Sequence, residues 1–524
     1  MFAYVVFVPL KSGANQKKNL FNMSSNSTNN KVLFLICFSL LGCSPRKRKE
    51  AILPVEQNIQ LDKSILDISV VAKGLNVPWE ITWGPDDKIW MTEQHGEISK
   101  IDPETGDKKR ILEIKEVWKD RTTGLLGMVI HPNIKEYPYV FVDYTIKNDK
   151  NIFSKLVRYT IQRDSLISPK TLLVIPGSSG HNGSRLAISP NGKLLWATGD
   201  AQKFQNAQNE KSLNGKILRL NIDGTVPENN PVKGSYVWAK GFRNMQGLTF
   251  SKNGLLYTSE HGDALEDEVN LITREGNYGW PNIEGVHDTE DEKKYAEKYN
   301  TIEPLLSWTP TIAPSGLTYY GSDNIPEWKN SLLLATLKAR SLRVLKLNDD
   351  GTKILSDNIF LENEYGRLRG VCVSPKGDIY VSTSNKDWNP YSKPLESDDR
   401  ILKISRANKI SSAKVLKGKV ASENTNIDNI DQLYSIYCGS CHKDDGSGVE
   451  GSFPALKGSS IVLGDKGNLI KVFLKGKKTE NKPEQMPAFK FLSDEEGAAI
   501  LTYIRTNWGN SAGAIQASEI KKMR

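Results

Sequence analysis

At 524 residues, 38% hydrophobic and 25% charged, the chain is long enough for two or three domains with substantial cores. That balance excludes a disordered chain and a polytopic membrane protein. The formal net charge of +9 is spread along the sequence, and its densest basic run is "RKRK" at 46–49. The run reads as a solvated tether, with anionic lipid headgroups as an alternative partner. No stretch interleaves aromatic residues with Lys and Arg, so nucleic acid is not an expected partner.

The first expected element is an export signal. "KVLFLICFSLLGC" runs from Lys31 through apolar and small residues to Cys43, long enough for a signal-peptide core and too short for a transmembrane helix. Leu40-Leu41-Gly42-Cys43 resembles the bacterial lipobox. The resemblance implies a lipoprotein signal over 1–42, lipid on Cys43, and a tether over 43–64. It also implies a membrane-anchored protein facing the periplasm or the cell exterior. An ordinary export signal or an uncleaved anchor is the alternative.

From 65 to 408 one pattern recurs: a turn rich in Pro, Asn, Asp or Gly, then an apolar strand that closes on Thr or Ser. It reads "WGPDDKIWMTE" from 83, "ISPNGKLLWATGD" from 188, "FSKNGLLYTSE" from 250 and "VSPKGDIYVSTS" from 373. Weaker copies stand at 130, "IHPNIKEYPYVFVDY", and at 325, "IPEWKNSLLLATL". A period of roughly 45–75 residues built of short strands predicts propeller blades of four strands each, and six copies predict six blades. The fold expected is therefore mainly β: a six-bladed β-propeller over 65–408, followed by a small all-α domain.

The body lacks a G-x-G-x-x-G after a strand, which argues against a nicotinamide or flavin on a Rossmann fold. It does carry polar residues in several blades: His181 in "SGHNGSRLAISP", Arg243 and Asn244 in "GFRNMQGLTF", Thr311 in "SWTPTIAPSG", Lys338 in "ATLKARS", and Arg367 with Arg369 in "YGRLRGV". The four cations among them have no carboxylate beside them in sequence. Gathered at a propeller axis, they would suit a polyanionic ligand.

Residues 409–427 are polar and aperiodic and read as a flexible linker. A small cytochrome domain is expected over 428–510, with 511–524 as a tail. In "YCGSCHKDDGSG", Cys438, Cys441 and His442 form C-x-x-C-H, the pattern of covalent haem attachment with histidine as an axial ligand. Met486, in "QMPAF", is the candidate sixth ligand. Ser493 and Glu496 predict a capping box, and Ile500, Leu501 and Ile504 the buried face of the final helix. Of five cysteines, Cys37 would leave with the signal, Cys43 take lipid, and Cys438 and Cys441 hold haem; Cys372 remains as a buried thiol. The segment resembles bacterial monohaem cytochromes c, which implies that a carbonyl near Pro454 orients His442.

Residues 65–408 resemble the soluble quinoprotein glucose/sorbosone dehydrogenases, including the aldose sugar dehydrogenases. The match rests on "HNGSRL", "LNGKILRLNIDGTVPENNP", "GFRNMQGLTF", "DEVNLITREGNYGWPN", "WTPTIAPSG" and "GRLRGVCVSPKGDIYV". The resemblance implies pyrroloquinoline quinone (PQQ) and Ca²⁺ as cofactors beside haem c. It assigns His181 as general base and Arg243 as stabiliser of the developing oxyanion. Arg243, Asn244, His261, Thr311, Lys338, Arg367 and Arg369 become quinone contacts. The carbonyls of Gly262 and Asp263 would hold the catalytic calcium, and Glu268 with the Tyr278 carbonyl a further calcium. Asp263 replaces a proline usual in the family, while Gly180 and Thr122 replace an acid and a glutamine of the glucose enzyme. The implied activity is oxidation of an aldose at C1 to the lactone. Electrons would pass through the tethered haem to a downstream cytochrome or other respiratory acceptor. The alternatives are a sorbosone-type aldehyde dehydrogenase, or a non-catalytic propeller that binds sugar or protein.

Overall fold

The computed structural model describes residues 53–524 apart from 264, 390–392, 422–428, 451–452 and 478–485. Cys43 and the signal segment lie outside the described residues. Six antiparallel sheets follow one another round a ring. Blades 1 to 5 take four strands each from 78–113, 125–176, 183–240, 245–308 and 314–360. The sixth combines Leu368–Val373, Ile379–Thr383 and Ile401–Ala407 with Ile65–Ala72 from the other end of the chain. The first strands of successive blades touch, and that of blade 6 meets Pro78–Trp83 of blade 1, which closes the ring.

Every recurring sequence pattern forms the second strand of its blade: Ile89–Glu93, Tyr139–Asn148, Leu194–Thr198, Leu256–Glu260, Ser331–Thr336 and Ile379–Thr383. Apart from the exposed end of Tyr139–Asn148, these strands are buried along nearly their whole length, because each is covered by neighbouring blades on both faces, and so they read as continuous apolar runs. The closing threonine has a physical role. Its hydroxyl donates to a carbonyl inside the blade stack, as Thr92 does to Leu126 (2.7 Å), Thr145 to Trp118 (2.7 Å), Thr198 to Leu213 (2.7 Å) and Thr258 to Gly247 (2.6 Å). A valine there would leave those acceptors unpaired in a dry setting.

Three expected boundaries are corrected. The tether over 43–64 contains a strand, Val55–Gln60, which pairs antiparallel with Ile65–Ala72. The linker over 409–427 is partly strand: Lys414–Leu416 pairs with Val55–Gln60, and Lys419–Val420 with Ile354–Phe360 of blade 5. Both additions cap exposed sheet edges, and backbone pairing there needs no hydrophobic pattern, which is why a polar segment concealed it. The tail over 511–524 holds a helix, Ala517–Lys521, that packs on Asp494–Thr506 and buries Ile515 and Ile520 in the helical core.

The cytochrome domain is built from Ile430–Tyr434, continuing through 435–439 to Ser440–His442, and from Ser460–Leu463, Lys466–Lys475 and Asp494–Thr506. Ser493 and Glu496 form the capping box, and Ile500, Leu501 and Ile504 are buried beside Leu469, Ile470 and Phe473. Arg505, also buried, donates to the carbonyls of Val462 (2.6 Å) and Gly513 (2.7 Å), tying the helix ends together. Propeller and cytochrome belong to one compact unit, Ala51–Arg524. Among the described residues no helix is long and apolar enough to cross a membrane.

Candidate active site

A cavity of about 340 Å³ lies at one mouth of the propeller. Side chains from all six blades reach it, among them Trp79, Leu126, His181, Gln246, Lys338 and Arg369. His181, Arg243, Asn244, His261, Gly262, Asp263, Thr311, Lys338, Arg367 and Arg369 all line it, although up to 188 residues separate them in sequence.

His181 is held at the start of blade 3 by a close backbone approach. A Cβ on Gly199 would stand 2.0 Å from the His181 carbonyl, and Gly183 adopts φ +69° beside it, so both positions need glycine. His181 Nδ1 donates to Asp200 Oδ1 at 3.0 Å. Asp200 is fully buried and also accepts from the Gln202 amide (2.7 Å) and from Trp280 Nε1 (2.9 Å). A carboxylate so fixed on Nδ1–H selects the tautomer whose Nε2 is unprotonated. Asp200 escaped the sequence reading, yet a signal exists. An acid stands just past the closing Thr or Ser of three second strands, at Glu93, Asp200 and Glu260.

Hydrogen bonds lock the neighbouring segments together. The Asp200 amide donates to the Arg243 carbonyl (2.8 Å), the Gly183 amide to Asn244 Oδ1 (3.1 Å), and the Arg243 amide to Glu260 Oε2 (2.9 Å). Asp267, buried beneath the loop, accepts from the amides of Gly262 (2.9 Å), Ile312 (2.5 Å) and Ala313 (2.7 Å). Its carboxyl is nonetheless pushed up to about 6 by burial. Lys338 Nζ donates to Thr311 Oγ1 at 2.6 Å, and burial lowers its pKa.

The cations are not unmatched, as the sequence reading expected. Arg243 pairs with Asp263 at 2.7 Å, and Asp387 pairs with Arg369 and lies 3.9 Å from Arg367. Blade closure brings Asp387 to residues nearly twenty positions away. Arg121, Arg243, Lys338, Arg367 and Arg369 still outnumber Asp263, Asp267 and Asp387, leaving a formal excess of two positive charges round the cavity. His261 is half-buried, and its enclosed Nε2, like Arg243 Nε, lacks a protein partner among the described residues. Burial, then the neighbouring Arg243, Arg369 and His181, hold the His261 pKa at about 3, so its ring is neutral.

Glu268 and Tyr278 sit apart from the cavity, farther out in blade 4. Glu268 accepts from Gly285 N (2.7 Å) and Asn270 Nδ2 (2.8 Å), while the Tyr278 hydroxyl donates to the Leu271 carbonyl (2.6 Å). Glu260, Glu266 and Glu284 crowd the same region. Burial first, with neighbouring carboxyls adding to it, raises Glu266 to about 8 and Glu284 to about 7, and lifts Glu260 and Glu268 above the usual range. Crowded acids that hold their protons above the usual carboxylate range are groups a bound cation would relieve.

In the cytochrome domain Cys438, Cys441 and His442 follow one another on a helical turn, and His442 Nδ1 donates to the Pro454 carbonyl at 2.8 Å. This leaves His442 Nε2 for an iron. Met486 is half-buried against the helical core. The cytochrome also reaches the propeller cavity, where Ser440, Cys441 and Phe453 form part of the wall.

Residues 75–390 match the family model for glucose/sorbosone dehydrogenases, and residues 425–504 the model described as cytochrome c oxidase, cbb3-type, subunit III. Quinoprotein glucose dehydrogenase B of Acinetobacter calcoaceticus is 30% identical over 433 residues, covering 64% of this chain and 90% of its own. A PQQ-bound aldose sugar dehydrogenase structure from Streptomyces coelicolor superposes with a TM-score of 0.57 at 31% identity, over 65% of this chain and 98% of its own. The cytochrome c subunit of a quinone alcohol dehydrogenase from Gluconobacter oxydans is 39% identical over 101 residues, 18% of this chain and 21% of its own.

Proposed function

Because the chain belongs to the glucose/sorbosone dehydrogenase family, we propose that it is a PQQ- and calcium-dependent aldose dehydrogenase that feeds electrons to haem c in its own cytochrome domain. One observation carries the reading: Cys441, a haem-attachment residue, shares a cavity wall with His181 and the cations of the propeller.

The residues fit these groups. An excess of positive charge and the unpartnered Arg243 Nε suit a planar tricarboxylate rich in acceptors. Arg243, Asn244, His261, Thr311, Lys338, Arg367 and Arg369 would hold the quinone, and the carbonyls of Gly262 and Asp263 the adjacent calcium. Glu268 and the Tyr278 carbonyl would hold a second calcium among the crowded acids of blade 4. Cys438, Cys441, His442 and Met486 would hold haem. When bound, the quinone with its calcium supplies a two-electron acceptor, and the haem a one-electron relay.

The chain's own part begins at His181. Oxidation of an aldose at C1 to its lactone removes one hydride and one proton, and His181 Nε2 is placed to take the proton of the C1 hydroxyl. Asp200 holds the ring and stabilises the imidazolium that forms, as a buried carboxylate on Nδ1 does. Trp280 ties this pair to Arg243, donating to Asp200 while its ring centroid lies 5.4 Å from the Arg243 guanidinium. Arg243 thereby faces developing negative charge with its position already fixed.

Gly180 and Thr122 leave the sugar side without the acid and glutamine of the glucose enzyme, and Thr122 Oγ1 instead donates to the Ser179 carbonyl at 3.0 Å. Glucose need not be the preferred aldose. We further propose export as a lipoprotein anchored through Cys43, supported by the lipobox-like "LLGC". The test is reconstitution of apoprotein with PQQ and Ca²⁺, followed by a panel of aldoses and sorbosone. A bound-quinone absorbance and haem reduction by aldose are expected. Reduction by sorbosone alone would establish the aldehyde reading instead, and no quinone absorbance would overturn both.

A further inference from the structure

We propose that the cytochrome domain is the roof of the substrate chamber and, through Phe453, restricts it to single sugar rings. This rests on the propeller cavity being the sugar-oxidation site. The propeller supplies a floor and walls, but Ser440, Cys441 and Phe453 close over them from another domain. At about 340 Å³ the chamber is at the small end of ligand pockets, and cofactor and sugar must share it.

The contact is built from specific groups. The Arg121 guanidinium lies 5.0 Å from the ring centroid of Trp388 and 5.8 Å from that of Phe453. The two rings meet at 5.7 Å, tilted by 57°. Arg121 and Trp388 are propeller residues and Phe453 belongs to the cytochrome, so the three form a clasp between the domains. Both propeller partners are attached to the site. Trp388 follows Asp387, the carboxylate beneath Arg367 and Arg369. Arg121 precedes Thr122, which is bonded to Ser179 two residues before His181. The Arg121 loop is itself fixed, since Gln94 Nε2 donates to the Arg121 carbonyl (2.6 Å) and Thr123 Oγ1 to the Asp120 carbonyl (2.6 Å).

The connection between the domains favours this placement. The chain stays on blade 5 through Ala421, whose amide donates to the Asp357 carbonyl at 2.9 Å, and the first cytochrome helix begins at Ile430. The nine residue steps from Ala421 to Ile430 reach at most about 32 Å even when fully extended, so the cytochrome stays tethered to the propeller near its mouth. A disaccharide reacting at C1 would have to project its second ring through the space that Phe453 fills.

The test uses full-length holoenzyme, a small dye acceptor, and glucose against maltose as probes. In Phe453→Ala and Arg121→Gln the ratio of kcat/KM for maltose to that for glucose should rise about tenfold, the scale expected when a wall of an apolar pocket is removed. Haem absorbance reports folding, and should Phe453→Ala fail to fold, Arg121→Gln, altered in the propeller, decides the matter. Small-angle scattering of the wild type should fit the domain seated on the propeller mouth. An unchanged sugar ratio overturns the proposal, and so does scattering that fits only a domain held away from the mouth. Absence of dye reduction with every sugar would instead overturn the sugar reading, leaving scattering to decide the roof by itself.

Discussion

The C-x-x-C-H residues Cys438, Cys441 and His442 lie within five consecutive positions, and one carbonyl, that of Pro454, accepts from the histidine. The propeller's cavity residues run from Trp79 to Trp388 and come from all six blades, each giving a few side chains. A helical turn converts sequence spacing directly into geometry. A ring of blades does so only after closure, when Ile65–Ala72 completes the sheet begun by Leu368–Val373. The contiguous site is thus local and compact in origin, whereas the distributed one depends on every blade being in register. It also gathers partners such as Asp200 and Asp387 that no short motif contains.

Substitutions in the two regions should separate cleanly. His181→Gln should lower dye-linked turnover by roughly two to four orders of magnitude, the loss expected for a general base, with the haem spectrum retained. Activity within about threefold of wild type would break the assignment. Asp200→Asn should cost about two orders of magnitude in kcat with a smaller change in KM, because the amide no longer enforces the tautomer. A changed pH profile and partial rescue by Asp200→Glu would distinguish this positioning role from general loss of structure.

Across the domain boundary the effects are smaller. Met486→Ala should slow haem reduction by sugar about tenfold relative to dye reduction in the same sample and lower the haem potential. In the wild type, stopped-flow haem reduction should keep the same rate across a tenfold range of enzyme concentration, since the acceptor is carried on the same chain. A rate proportional to concentration would mean that the two regions serve different molecules.

The smallest effect concerns blade 4. Glu266 and Glu284 hold protons up to about 8 and about 7 in the folded chain and would release them on unfolding. Their contribution to stability is therefore fully present below the ordinary carboxylate range and is lost as pH rises through about 7 to 8. Chelated protein should melt several degrees lower at pH 8.5 than at pH 6, and added Ca²⁺ should restore more at the higher pH. A calcium response equal at both pH values would contradict a cation among these acids.

Much of the fold is legible because the second strand of each blade is largely buried between its neighbours and must be apolar, and in five blades a threonine near its end donates to a carbonyl. The strands at Val55–Gln60, Lys414–Leu416 and Lys419–Val420 are not legible, because an edge strand pairs through its backbone and leaves its side chains in solvent. The same divide runs through the site. The residues His181, Arg243, Lys338 and Arg369 stand out by type and by resemblance. Their matching carboxylates do not, since Asp263 and Asp387 become partners only when the loops converge.

The sequence by itself determined the number of blades, the C-x-x-C-H motif and the set of groups offered to a ligand, because periodic burial and motif spacing are local properties of a chain. Only the tertiary structure decided that Asp200 backs His181, that Asp387 sits beneath two arginines, and that Phe453 of the cytochrome meets Arg121 and Trp388 at the cavity. The first two join residues about twenty positions apart within one blade, and the third joins segments remote in sequence. Which of the many polar residues become neighbours is settled by packing and ring closure, and local spacing carries no record of it.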